Sequence, residues 1–187
     1  MSKIGETQWI GERISFVWHP DALTVIIDAS IPAQQMRLLT FWLLAWYAVG
    51  AAFAYSVRMA STEDERMFIM ISLAFWLYFA FRVTKVWVWR RIGREMLRVT
   101  ADGVSLKDAF GNFGRARFYL LGNIKKLEVV RRDPTKFLHS LDMSFWTIGG
   151  NMLSFKHLRS TVSFGKQISE QDALKLARVL DQALRKF

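Results

Sequence analysis

Residues 38–57 (LLTFWLLAWYAVGAAFAYSV) run for twenty positions without a charge, and residues 67–81 (MFIMISLAFWLYFAF) add fifteen more. Only a short polar loop holding Glu63, Asp64, Glu65 and Arg66 lies between them. A helix rises ~1.5 Å per residue, so about twenty residues cover the ~30 Å of a hydrocarbon core. The first run meets that length alone. The second extends through Val83, Val86 and Val88 to Trp89, since nothing there breaks a helix. The pattern predicts a transmembrane helical hairpin at about 38–57 and 67–89. The alternative, a soluble hairpin, would have to hide an uncharged run carrying two Trp and two Phe, and hydropathy argues against it.

The flanks predict how the hairpin sits. Arg82 and Lys85 fall three apart on one helix face, where long side chains reach the headgroups. Trp87 and Trp89 fit an interfacial belt, as do Trp42 and Trp76. Gly50, Ala51, Ala52 and Ala54 form a small-residue patch that lets helices approach closely. Gly50, Ala51 and Ala54 are the expected packing positions, toward the second helix or a neighbouring subunit. The polar loop offers Arg58 and Arg66, whereas the other side offers Arg37, Arg82, Lys85, Arg90, Arg91, Arg94 and Arg98. Positive residues stay on the cytoplasmic side, so a multi-pass protein with both termini in the cytoplasm is expected.

Charge follows the same division. The net charge is +10, and residues 90–187 hold nineteen Lys or Arg against nine Asp or Glu. Residues 1–89 hold seven of each. The excess is thus predicted to face the anionic cytoplasmic leaflet, which attracts juxtamembrane basic residues at roughly 1 kcal/mol each. Arg90, Arg91 and Arg94 join Arg82, Lys85, Trp87 and Trp89 as the expected lipid-facing set. The chain has no Cys, which excludes disulfides, thiolate nucleophiles and Cys-based metal sites and fits a reducing compartment. No secretory signal is read before residue 38, because the preceding segment itself looks folded.

Within residues 1–36, 14–18 (ISFVW) and 23–27 (LTVII) read as two strands around a turn at His19, Pro20, Asp21 and Ala22. A lone two-stranded hairpin is marginal in water. This cytoplasmic arm must therefore pack on the C-terminal domain, the membrane surface or a partner. Pro32 marks a break, with the first helix starting near Ala33.

After Trp89 the apolar period drops to two. Strands are predicted at 95–100, with Leu97 and Val99 on one face, and at 104–107, with Val104 and Leu106 inward. Others follow at 115–120, 124–131, 143–148, 151–155 and 160–165. Asp102-Gly103, Gly111-Asn112-Phe113-Gly114, Gly122-Asn123 and Gly149-Gly150 supply the turns. A final helix is capped by Ser169 with Asp172 at its third position. Its apolar face is Ala173, Leu174, Leu176, Ala177, Leu180, Ala183 and Leu184.

Residues 95–107 (EMLRVTADGVSLK), 124–130 (IKKLEVV) and 144–155 (SFWTIGGNMLSF), with the terminal helix, resemble the pleckstrin-homology-like domains that bacteria place beside paired transmembrane helices. The resemblance covers residues 93–187. It implies an α+β membrane protein: a two-helix hairpin plus a cytoplasmic seven-stranded β-barrel or sandwich, capped at one end by the C-terminal helix. It implies no enzyme activity, but a scaffold for binding lipid, peptide or protein. The sequence departs from phosphoinositide-binding relatives in its first hairpin loop, Ala101-Asp102-Gly103, which is short and acidic. That departure leaves a phosphoinositide pocket unsupported.

Chemistry-bearing groups are sparse. His19, His139 and His157 are far apart, whereas zinc needs three or four convergent ligands, so no metal is expected. The glycine-rich points do not open a helix after a strand, so they read as turns rather than phosphate cradles. No Ser–His–acid set is present, and nothing pairs the carboxylates Asp102, Asp108, Glu128 and Asp133. Lys125, Lys126, Arg131 and Arg132 bracket a strand and read as a solvated face, with lipid, acidic partner or nucleic acid as alternatives. No helix-turn-helix or RNA-binding signature accompanies them. Phe110, Phe113 and Phe137, placed in turns or loops, are the expected partner-facing aromatics; otherwise they fold back on the barrel rim. The sequence points to a non-enzymatic, cofactor-free accessory or assembly subunit of the bacterial inner membrane. Its expected partners are lipids and other membrane subunits or copies of itself. The alternative is an anionic-lipid or acidic-ligand sensor.

Overall fold

The computed structural model describes residues 5–130, 144 and 146–187. It divides into two compact units, Met1–Ser30 with Arg91–Phe187, and Ile31–Arg90. Phe137, Asp133, His139, Arg131 and Arg132 lie outside the described residues.

Helices α1 (Ala33–Met59) and α2 (Glu63–Ile92) are both long and apolar enough to cross a membrane, by length and composition. Each extends several residues past the uncharged run that predicts it. Pro32 precedes the first turn of α1, where a missing N–H costs nothing. A variant of the capping box opens α2: Thr62 Oγ1 accepts from the Glu65 amide at 3.2 Å, and Glu65 Oε2 accepts from the amide of Ser61, one residue before the cap, at 3.0 Å. Glu63, Asp64 and Glu65 also complement the positive end of the helix dipole.

Trp76 joins the helices. Its indole N–H donates to the Trp46 carbonyl at 2.9 Å, and its ring stacks on Trp46, which stacks on Trp42. Trp76 is therefore turned inward, toward α1. Gly50 makes this possible, because a Cβ there would fall 2.0 Å from the Trp76 ring. Gly50→Ala should displace the indole and cost about 1–3 kcal/mol by overpacking. The check is a lower unfolding midpoint in detergent, with Ala54→Leu, at an exposed position, leaving the midpoint unchanged.

The other unit contains nine strands among the described residues. β1 (Thr7–Ile10), β2 (Ile14–Trp18) and β3 (Ala22–Asp28) precede the helices. After them come β4 (Gly93–Thr100), β5 (Gly103–Phe110), β6 (Phe113–Leu120), β7 (Ile124–Val129), β8 (Asn151–His157) and β9 (Ser160–Lys166). A six-stranded antiparallel sheet runs β1-β2-β3-β4-β5-β6, and a three-stranded sheet runs β7-β8-β9. The N-terminal hairpin thus packs on the C-terminal strands. Ala22 to Asp28 pair residue by residue with Thr100 to Arg94, and Ala29 N–H donates to the Gly93 carbonyl.

Period two explains the core. Phe16, Val25, Leu97 and Leu106 are cross-strand neighbours on one buried face of the larger sheet. Leu153, Phe155 and Phe164 of the smaller sheet belong to the same cluster. Helix α3 (Glu170–Lys186) adds Ala173, Leu176, Leu180 and Ala183. Its predicted cap is present: Ser169 Oγ accepts from the Asp172 amide at 3.0 Å. Leu174, expected on the apolar face, is exposed, since it sits about 100° from Ala173 around the helix.

Three expectations change. Two sheets of six and three strands replace a seven-stranded C-terminal domain. The strand expected at 143–148 is absent from its described part: the Thr147 amide closes a turn on the Ser144 carbonyl, and residues 146–148 form turns and bends. Phe110 and Phe113 are not loop residues. They end β5 and begin β6 as a register pair, around a two-residue turn in which Gly111 takes φ +59°.

Candidate functional site

Residues singled out on the helices scatter. Arg82, Lys85 and Arg91 are exposed, as is Arg94, which pairs with Asp28 at 3.1 Å. Arg82 lies over the Tyr78 ring at 6.0 Å. Trp87 is half-buried and donates its indole N–H to Thr40 Oγ1 at 2.9 Å, while Trp89 and Arg90 are buried. Gly50 lies beneath Trp76, whereas Ala51 and Ala54 are exposed.

The β-unit holds a charged network that spacing alone does not reveal. In the register of the larger sheet, Glu95 lies opposite Asp108, and Asp108 opposite Arg115. Two carboxylates placed directly across a strand pair repel, and Lys166, from β9 of the other sheet, relieves that repulsion. Its ammonium donates to Glu95 Oε1 at 2.5 Å and to Asp108 Oδ1 at 2.7 Å. Glu95, only 5% exposed, also accepts from the Gly165 and Lys166 amides at 2.9 and 2.8 Å. Arg117 approaches Asp108 at 3.8 Å.

Asp108 is therefore paired, against expectation, and so is Glu128, whose carboxylate bonds to Lys126. That bond holds the Glu128 carboxyl below its ordinary range. Burial alone would lower the Lys166 pKa, but the Glu95 charge and the hydrogen bonds to Asp108 and Glu95 outweigh it and raise it. The ammonium stays charged, and both Glu95 oxygens are occupied. Such a set ties two sheets together and offers no free general base.

Arg13, in the turn between β1 and β2, makes a second tie. Its Nε donates to the Asp28 carbonyl at 2.8 Å, Nη1 to the Gln167 carbonyl at 2.7 Å and Nη2 to the Lys166 carbonyl at 3.4 Å. Burial pushes the Arg13 pKa down, opposed by the charges of Glu95, Asp28 and Asp172. Among the described residues no three His, Asp or Glu converge as metal ligands. His157 packs its ring edge-on to Tyr119 at 5.1 Å.

The remaining candidate is β6. It pairs with β5 along all eight residues and ends the larger sheet. Only Tyr119 turns into the core, where it meets Phe155. Phe113 is 84% exposed, Phe118 56% and Leu120 55%, and Arg115, Ala116 and Arg117 are exposed as well. Both faces of the strand are therefore open. Of the aromatics expected to face a partner, Phe113 belongs to this surface and Phe110 is half-buried beside it. Phe118 and Leu120 were missed. The alternation in residues 115–120 shows two faces but does not show that neither is covered.

Comparison with protein-family models, curated proteins and solved structures finds no match for the chain.

Proposed function

We propose that this chain is a non-enzymatic accessory subunit of a bacterial inner-membrane complex, anchored by its two helices and docking through a pleckstrin-homology-like cytoplasmic domain. The observation that carries this reading is β6, an edge strand open on both faces with apolar side chains on each. Large apolar residues exposed together mark contact surfaces. The two sheets closed by an amphipathic C-terminal helix support the domain assignment.

The sheet also supports the orientation. Asp28 and Arg94 are register partners, one just before the helices and one just after them. A chain that leaves and rejoins one sheet must cross a bilayer an even number of times. Both termini then share a compartment, and the Lys and Arg excess makes it the cytoplasm. Docking is favoured over headgroup sensing because the basic connector is partly engaged: Arg94 pairs with Asp28, and Arg90 is buried.

The test is extraction into lipid nanodiscs without detergent, followed by mass analysis. A stoichiometric assembly with other membrane subunits is expected. A lone protein that retains anionic lipid would overturn docking in favour of sensing.

A further inference from the structure

The sheets have four edge strands, and three are obstructed. β1 has only four residues. β7 is broken by an irregularity between Lys125 and Glu128, with Lys126 at φ +53°. On β9 the Gly165 and Lys166 amides are taken by Glu95. β6 has neither proline nor bulge, and beyond β5 its backbone has no strand partner among the described residues. Its only guard is charge, Arg115 and Arg117, which repels another basic strand and not an acidic one.

Resting on the docking reading, we propose that β6 receives an acidic, extended segment of a partner protein, which joins the larger sheet as a seventh strand. A protein strand fits the edge better than a lipid surface does. Hydrocarbon cannot satisfy a row of backbone N–H and C=O groups, whereas an added strand pairs with all of them.

Charge selects the strand. Arg115 and Arg117 are exposed and lie on one face of β6, with Phe113 two positions before Arg115. Asp108 receives Lys166 at 2.7 Å and reaches Arg117 only at 3.8 Å, so one carboxylate is shared between two cations. A segment with Asp or Glu at alternate positions would meet both guanidinium groups as cross-strand neighbours. Its other face would cover Phe118 and Leu120.

A second copy of this chain fits poorly. Coplanar antiparallel pairing of β6 with itself about a two-fold axis requires centres that fall on a residue, since opposed side chains share a face. Centred on Arg115 or Arg117, that arginine opposes its own copy; centred on Ala116, Arg115 opposes Arg117. Each of these joins like charges, which destabilise directly opposed positions; centres on Gly114 or Phe118 keep the arginines apart but pair only residues 113–115 or 116–120 of the strand.

The test uses the full chain in zwitterionic nanodiscs and three synthetic peptides. One alternates Glu with Val and Thr, one carries Lys in place of each Glu, and one is the acidic peptide N-methylated at alternate amides. Binding is followed by fluorescence anisotropy and by hydrogen exchange of the β6 amides. The acidic peptide should bind about tenfold more tightly than the basic one and slow exchange at β6, while N-methylation abolishes both effects. Arg115→Thr with Arg117→Thr should remove the charge preference and keep the exchange protection. The proposal is overturned by no binding of the acidic peptide up to ~1 mM, by protection elsewhere than β6, or by equal binding of the two charges. Protection of β6 by anionic vesicles alone, or by concentrating the chain without peptide, would assign the edge to lipid or to a second copy. A native assembly in which the β6 amides exchange as freely as in the isolated chain overturns this edge and spares the docking reading; the absence of any assembly fells the docking reading itself.

Discussion

Glu95→Ala should destabilise the β-unit by about 3–5 kcal/mol, because it removes one partner of a buried ion pair and leaves the other charged. Lys166 would retain Asp108 but lose its shorter contact, 2.5 Å to Glu95. The amides of Gly165 and Lys166 would lose their acceptor, each at a cost of ~1–3 kcal/mol where water cannot replace it. Adding Lys166→Met to Glu95→Ala should recover little of the loss, since it removes the half-paired ammonium but also the partner of Asp108, and leaves the amides orphaned. Denaturant unfolding of the chain in nanodiscs, read by hydrogen exchange at β9, gives the result. Equal midpoints for wild type and Glu95→Ala would show that the network carries no stability. Because the Lys166 pKa is raised in the folded state, its contribution is full below the unfolded value near 10.4. It disappears as pH climbs through the higher folded value, so the wild-type advantage should narrow only in strong alkali.

Arg13→Ala should cost about 3 kcal/mol by a different route. One guanidinium serves carbonyls from the end of β3 and from the end of β9, and hydrogen bonds to charged donors contribute ~1.5–3 kcal/mol each. Arg13→Lys should restore little, because a compact ammonium cannot reproduce the planar fork that spans both carbonyl groups. Hydrogen exchange separates this from a uniform loss of stability. Amides of β2 and β3 should open before those of β4 and β5. Simultaneous opening of all four strands would show that Arg13 does not join the segments it touches.

The elements set by local pattern were readable in the sequence, and the contacts between distant segments were not. The two apolar helices, the start at Ala33 and the Ser169 cap are written in runs and spacings of a few residues. Leu97, Val99, Val104 and Leu106 face inward as period two requires. That same period places Glu95 inward with Leu97, which is a signal that a cation must meet it. Nothing local names Lys166, seventy-one positions away. β1 escaped notice because its four residues, TQWI, leave only Ile10 buried. The openness of β6 was unreadable for a related reason: an alternating strand looks the same whether or not another layer covers it.

The pairing of β3 with β4 also sets an order of events during synthesis. β3 is complete at Asp28, yet its partner begins only at Gly93. At ~5–20 residues per second, a ribosome needs several seconds to make the intervening segment. Throughout that interval β3 keeps a bare edge, and β1–β3 form a fragment without a lid. In a chain anchored as proposed, helix insertion falls inside the same interval and brings the two halves of the sheet together. A nascent chain that inserts one helix and not the other would strand its halves on opposite sides of the bilayer. In a chain so anchored, completion of the β-unit thus excludes the singly inserted topology, because β3 and β4 can pair only on one side of the bilayer.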